Sequence, residues 1–377
     1  MKTIPLFKPS LGKEEQTAIL SCLKSGWLTS GPRVLDFESQ ISQMLEGIPV
    51  VACSSCTAAL DIVFDILNIK EGEEIITPSF TFASIGNLIT RRKAVPVYVD
   101  IDPKTLNLDL SLIEGLLTSK TKAIVPMDYG GNPVDLKALK DVIPDIPVIL
   151  DAATSFGARF GKDIVGTLAD FTCFSFYPTK MITTMEGGAI AISDKALAEK
   201  VKKASYLGIS KSASERGVAS GRGAWYFDIE TPALKYNMTD VQASLGLEQL
   251  KKLSEFIERR KIIADRYIEQ ISNMKYFKLG FGEYPVNNVW NFFPLLSEHP
   301  LGRDAVMVEL KNRGIGTTVN YIPLHYRSVY EKHPSSKNLP ITERLFNTEI
   351  TLPLYPDLAL EDVDYICNQL LDLDKST

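Results

Sequence analysis

Over its first two thirds the chain alternates short apolar runs with amphipathic stretches. Residues 49–53 (PVVAC) read as a buried strand, and 57–67 (TAALDIVFDIL) as the helix that follows. Residues 73–78 predict a strand and a helix is expected from about Phe82. Further strands are predicted at 94–102, 121–128, 146–153, 169–176 and 187–193, with a helix at 136–143 between two of them. Seven strands alternating with helices imply a mainly parallel sheet covered on both faces. From about Met238 the pattern turns helical (TDVQASLGLEQLKKLSEFIERRKIIADRYIEQI), as a long helix leading into a second domain would. The chain closes on a helical stretch, LALEDVDYICNQLLDL. The expected division is a large domain over 1–245 and a smaller α/β domain over 246–377. Residues 210–223, polar and rich in Gly and Ser, predict a mobile loop.

With 45% hydrophobic and 23% charged residues, the 377-residue composition is that of an ordinary globular protein. A net charge of −5 gives no electrostatic footprint for nucleic acid or an anionic membrane. No segment nears the ~20 apolar residues of a spanning helix, and MKTIPLFKPS lacks the apolar core of a signal peptide. A cytoplasmic protein is expected. The five cysteines, odd in number and widely spaced, argue against a disulfide framework. Cys53 and Cys56 form a CxxC, read as half a metal site or a redox pair. No second CxxC completes a zinc set and only three histidines are present, so no metal is expected.

Three segments end predicted strands with polar residues, and in an open α/β sheet ligands bind at the carboxyl ends of strands. In ACSSCTAAL a strand stops at Cys53 and a helix begins near Thr57. Its free N–H groups and dipole suit a phosphate, and a plain N-cap by Ser55 or Thr57 explains the pattern equally. In VILDAATSFGA an apolar strand ends at Asp151, where a carboxylate can meet a cationic ring nitrogen; taken alone, a helix-capping Asp explains it better. In FSFYPTKMITTMEGGAI a strand delivers Ser175, and Lys180 follows in an apolar, Thr-rich stretch with no charge before Glu186. Such surroundings depress an amine pKa, and the neutral amine is the form that makes a Schiff base.

Eight segments in order, GWLTSGP (26–32), PSFTFAS (78–84), VDIDPKTLNLD (99–109), TKAIVPMDYGGNP (121–133), LDAATSFGA (150–158), FSFYPTKMITTMEGG (174–188), KYNMTDVQASLGLEQL (235–250) and YIPLHY (321–326), resemble the DegT/DnrJ/EryC1/StrS family of sugar aminotransferases. The resemblance implies the fold type I architecture of aspartate aminotransferase and a pyridoxal 5'-phosphate (PLP) cofactor. By position, Lys180 matches the lysine that holds the cofactor as an imine, Asp151 the partner of the ring nitrogen, and Phe82 the aromatic stacked on the ring. Cys56 and Thr57 match the backbone groups around the phosphate, and Ser175 the hydroxyl beside them. Asn237 matches a residue that reaches the phosphate from the neighbouring subunit, which implies a homodimer with shared sites. Thr29, Ser30, Gly31, Tyr321 and His325 lie where members contact the sugar nucleotide.

The reaction implied is transamination, most often from glutamate, onto a keto-sugar nucleotide. YNMTDVQAS looks more like members that aminate C4 of a 4-keto-6-deoxyhexose than C3, and the product is an amino sugar for surface polysaccharide or glycoconjugate synthesis. Three positions depart from the family. Cys56 replaces a Gly, so a side chain is expected to crowd the phosphate. Thr154 replaces a Gln or His near the cofactor, and Met185 replaces the first Gly of GEGG. These departures leave open a non-catalytic member on the same scaffold. A sugar dehydratase is the other alternative; there a His usually replaces the imine lysine, and Lys180 argues against it.

Overall fold

The computed structural model describes residues 2–209, 226–330 and 338–376; the stretch 210–223 lies outside them. Helices α1 (Lys13–Ser25) and α2 (Pro32–Met44) precede β1 (Val50–Cys53) and α3 (Cys56–Ile66). Then come β2 (Glu74–Pro78), α4 (Ala83–Arg91), β3 (Val95–Val99), β4 (Thr121–Ile124), α5 (Leu136–Val142) and β5 (Ile149–Asp151). A small hairpin, β6 (Arg159–Phe160) and β7 (Asp163–Ile164), leads to β8 (Phe171–Ser175), β9 (Gly188–Ile192) and α6 (Lys195–Ala204).

These strands form two hydrogen-bonded sheets, β1-β9-β8-β5 and β3-β2-β4. Parallel bridges Ile124–Val148 and Met127–Asp151 carry one into the other. The ladders β2–β3, β2–β4 and β5–β8 are parallel, and β9 runs antiparallel to both β1 and β8. Strands β1, β5, β8 and β9 are buried at every residue. That explains their unbroken apolar runs, because helices cover both faces. On one side Phe37 and Ile41 of α2 pack with Ala243 and Leu250; on the other, α3 and α4 pack Leu60, Val63 and Ile89 against Ile75 and Ile190.

Helix α7 (Asp240–Ile271) opens with a capping box between Thr239 and Gln242. Its first half enters the large-sheet core and its second half, through Ile263 and Tyr267, a separate core. Position 245, where the sequence reading divides the chain, lies inside this helix. The second core belongs to an antiparallel sheet of β10 (Phe277–Leu279), β11 (Phe293–Ser297) and β12 (Glu349–Leu352). It is completed by α8 (Arg303–Asn312), α9 (Pro340–Thr348) and α10 (Leu360–Lys375). No described helix is long and apolar enough to cross a membrane.

Candidate active site

The carboxyl ends of β1, β5 and β8 open on a cleft of about 490 Å3, closed on its far side by residues of the C-terminal part such as Asn291 and Tyr321. After β1 the chain turns through Ser54 and Ser55 and enters α3 at Cys56. Ser55 is the cap: its hydroxyl accepts the N–H of Ala58 at 3.0 Å. The N–H groups of Cys56 and Thr57 are left at the positive end of the helix. Strand β9 passes directly beneath, since a Cβ on Gly188 would stand 2.5 Å from the Ser55 carbonyl carbon and 2.6 Å from the Cys56 nitrogen. Ser175, at the end of β8, lines the same corner with Thr57. Two N–H groups, a helix dipole and two hydroxyls suit a phosphate.

Asp151 ends β5 and is 3% exposed. Its Oδ1 accepts the Ala153 N–H at 3.1 Å. Burial raises its pKa, opposed by that N–H, Lys180 and Cys56. The Cys56 thiol lies 3.5 Å from the Cys173 carbonyl and 3.9 Å from Asp151 Oδ1. The side chain is therefore turned to the cleft floor, and the crowding of the phosphate turn expected from the sequence does not arise. Burial, then the Asp151 charge, drives this thiol well above its ordinary range, and burial pushes Cys53 to about 12. Without a bound metal, neither thiol is shifted toward the thiolate that a redox pair uses at neutral pH.

Lys180 follows β8 after a turn in which its N–H bonds to the Tyr177 carbonyl at 2.9 Å. The side chain is partly open to the cleft, yet the protein packed around its amine lowers the pKa, with Asp151 and Cys56 pulling the other way. An amine of lowered pKa and a buried carboxyl thus share one cleft. Phe82 caps α4 without a side-chain hydrogen bond. Its ring is 60% exposed and stands edge-on to Tyr321, with centroids 6.2 Å apart. An apolar face, a carboxylate, an amine and a phosphate corner together fit a phosphorylated aromatic cofactor.

Several residues singled out in the sequence do not line this cleft. Thr154 is fully buried and its hydroxyl donates to the Asp128 carbonyl. The turn after Asp151 takes this hydroxyl to Asp128, and Thr154 is not among the residues lining the cleft. Thr29, Ser30 and Gly31 are fastened to the start of α7. The Asp240 N–H donates to the Thr29 carbonyl at 3.2 Å, Ser30 Oγ to the Met238 carbonyl at 2.6 Å, and the Gly31 N–H to Asp240 Oδ1 at 2.8 Å. Asn237 joins them, its Nδ2 donating to Ser30 Oγ at 2.7 Å. Its Oδ1 is buried without a hydrogen-bond partner among the described residues. None of these four residues lines the cleft of its own chain, although Asn237 is bridged to Cys53 at the end of β1, next to the phosphate corner. His325 is buried behind the wall, 2.6 Å from Ser79 Oγ. Tyr321 alone of the five expected sugar contacts lines the cleft.

Sequence reasoning missed Asn291, whose Nδ2 donates to the carbonyl of Thr179, the residue before Lys180, at 3.2 Å. It also missed Arg260, a buried cation on α7 that donates to the Asn291 and Leu354 carbonyls at 3.0 and 3.1 Å. No local signal marks either. Met185 holds φ at +70°, a left-handed backbone that costs a side chain and not glycine. Met185→Gly is expected to raise stability by about 0.5–1 kcal/mol in urea unfolding; an unchanged or lower midpoint would refute this.

The sequence profile of the DegT/DnrJ/EryC1/StrS aminotransferase family matches residues 9–371. SpsC of Bacillus subtilis, a spore coat polysaccharide biosynthesis protein, is 36% identical over 380 residues, covering 99% of this chain and 97% of that protein. A protein of Streptococcus pneumoniae assigned as a sugar aminotransferase, solved in its PMP form, superposes with a TM-score of 0.92 at 32% identity, covering 99% of this chain and 100% of that one. Its PLP form gives 0.91 at 30%, with 100% and 99% covered. PseC of Helicobacter pylori, an aminotransferase of pseudoaminic acid biosynthesis, gives 0.91 at 27% identity with both chains fully covered.

Proposed function

We propose that this chain, which belongs to the DegT/DnrJ/EryC1/StrS aminotransferase family and uses pyridoxal 5'-phosphate, moves an amino group from glutamate to C4 of a nucleotide-linked 4-keto-6-deoxyhexose. The amino sugar then serves surface polysaccharide or glycoconjugate synthesis, the setting in which SpsC works. One observation carries the reading: an amine of lowered pKa, Lys180, and a buried carboxylate, Asp151, share one cleft.

When bound, pyridoxal phosphate supplies an electron sink that stabilises a carbanion. The chain's own groups do the rest. The N–H groups of Cys56 and Thr57, with the hydroxyls of Thr57 and Ser175, hold the phosphate. Phe82 would stack on the ring, and Asp151 would hold a proton on its nitrogen, which favours the electron sink. Lys180 Nζ would hold the cofactor and, when free, would carry a proton from the donor's Cα to the cofactor's C4′, first as base and then as acid. Its pKa, lowered by burial, makes this amine a readier base than an ordinary lysine.

Supplying PLP-loaded protein with glutamate and a panel of keto-sugar nucleotides tests the reading. The first half of the reaction releases one equivalent of 2-oxoglutarate per subunit without any acceptor, so continued formation beyond that equivalent is expected only with a 4-keto acceptor. Turnover with 3-keto acceptors alone, or with none of the panel, would overturn it.

Assembly as a homodimer with shared sites is part of this proposal. The absence of Asn237 and Thr29–Gly31 from the lining of their own cleft supports it, as do apolar side chains exposed nearby, Leu20, Leu23, Leu28 and Leu234 among them. In this reading Asn237 completes the phosphate corner of the second subunit. Lys180→Ala and Asn237→Asp are each expected to be nearly inactive, the second because a carboxylate would face a phosphate. A mixed dimer carries one intact site and one with both defects. Equal mixing should therefore restore activity to roughly a quarter of wild type if sites act independently. A mixture that stays inactive after verified subunit exchange refutes the shared site.

A further inference from the structure

Behind the aromatic wall of the cleft, two buried polar residues 246 positions apart hold each other. Ser79 is 0% and His325 6% exposed. Ser79 Oγ and His325 Nδ1 stand 2.6 Å apart, and the same oxygen accepts the His325 N–H at 3.2 Å. The Ser79 carbonyl accepts the Leu324 N–H at 2.8 Å. One serine thus makes three contacts with two consecutive residues of the segment 320–326. The other edge of the imidazole, Nε2, lies 3.6 Å from Glu343 Oε1, which orients Nδ1 toward the serine.

The start of that segment is pinned as well. The Asn320 N–H donates to Glu349 Oε2 at 3.0 Å, and its carbonyl accepts the Tyr129 hydroxyl at 2.6 Å. Tyr321 lies between the two anchors, its ring in the cleft wall beside Phe82. Phe82 follows Ser79 by three residues. The Ser79–His325 pair therefore joins the two loops that carry the two rings. The buried Ser79 Oγ and His325 Nδ1 partner each other, and His325 Nε2 has no hydrogen bond among the described residues, so sliding would leave the serine hydroxyl and Nδ1 unpaired as well.

We infer that the Ser79–His325 hydrogen bond is a latch that holds Tyr321 against Phe82 and so sets the aromatic wall on which the cofactor ring rests. His325 is then a positioning residue rather than a contact to the sugar nucleotide. This rests on the reading of the cleft as the cofactor site.

The test measures the dissociation constant of pyridoxal phosphate from apoprotein by equilibrium dialysis. Ser79→Ala and His325→Phe are each expected to weaken binding about tenfold, and the double variant no further, because both remove one interaction. His325→Asn, whose amide can stand near the place of Nδ1, should recover affinity to within about threefold of wild type. In a Phe82→Ala background Ser79→Ala should add less than about twofold, since the wall it positions is gone; a structural serine would show no such dependence. Should Ser79→Ala fail to fold, the two His325 variants decide alone. Equal losses in His325→Phe and His325→Asn, additive losses in the double variant, or wild-type affinity in folded Ser79→Ala would each overturn the latch. Wild-type protein that takes up no pyridoxal phosphate would overturn the cofactor reading and the latch with it.

Discussion

Lys180→Ala is expected to lose turnover by about 10⁴-fold or more, the upper end of what a positioned acid–base group contributes, while remaining folded. The same side chain is assigned both the covalent anchor and the proton carrier, and among the described residues no other lysine lines the cleft. Stability gives an independent check. Burial lowers the folded pKa of Lys180 below its ordinary 10.5, so at neutral pH folding works against the charge on this amine. Removing it should raise the stability of the apoprotein at neutral pH. The gain should shrink as pH rises from the lowered folded value to 10.5 and vanish above it. A variant that retains turnover refutes the assignment, and one that is destabilised at pH 7 refutes the account of the lysine's surroundings.

Asp151→Asn should still bind the cofactor and lose on the order of 10²–10³ in turnover, the scale set by removal of one preorganised electrostatic partner. The carboxylate is fixed by the Ala153 N–H at 3.1 Å and shielded from water, so a neutral amide fills its place without its charge. The cofactor-free protein offers a second readout. Asp151 is the first group that pulls the Lys180 pKa upward against burial. In Asp151→Asn that pull is lost, and the pH at which the amine becomes reactive toward an acylating reagent should fall further. Near wild-type turnover, or an unmoved amine titration, would contradict the pairing.

The parts of the fold that were legible are those where one physical cause dominates. Strands β1, β5, β8 and β9 are buried on both faces, so they had to be apolar without a break, and Asp151, Ser175 and Lys180 stood out as polar residues following such runs. Helices α1, α2 and α6 went unread; α1 buries only Glu15 and Cys22, so its periodicity is faint, though the left-handed Gly26 at its end was a usable sign. Side-chain direction was the harder part. Thr154 lies three residues beyond a strand end, and only the turn between decides that its hydroxyl meets Asp128. Cys56 was placed at the right turn, but nothing local said that its thiol would face Asp151, 95 positions away. Contacts across the chain, Asn237 with Ser30 and His325 with Ser79, leave no trace in any local window.

Borohydride reduction of PLP-loaded protein, followed by proteolysis and mass mapping, decides whether Lys180 holds the cofactor. One modified peptide per chain is expected, with the added mass of reduced pyridoxal phosphate on Lys180 and none in Lys180→Ala. The cofactor's mass on a different lysine, or on no lysine at all in protein that binds it, would refute that assignment.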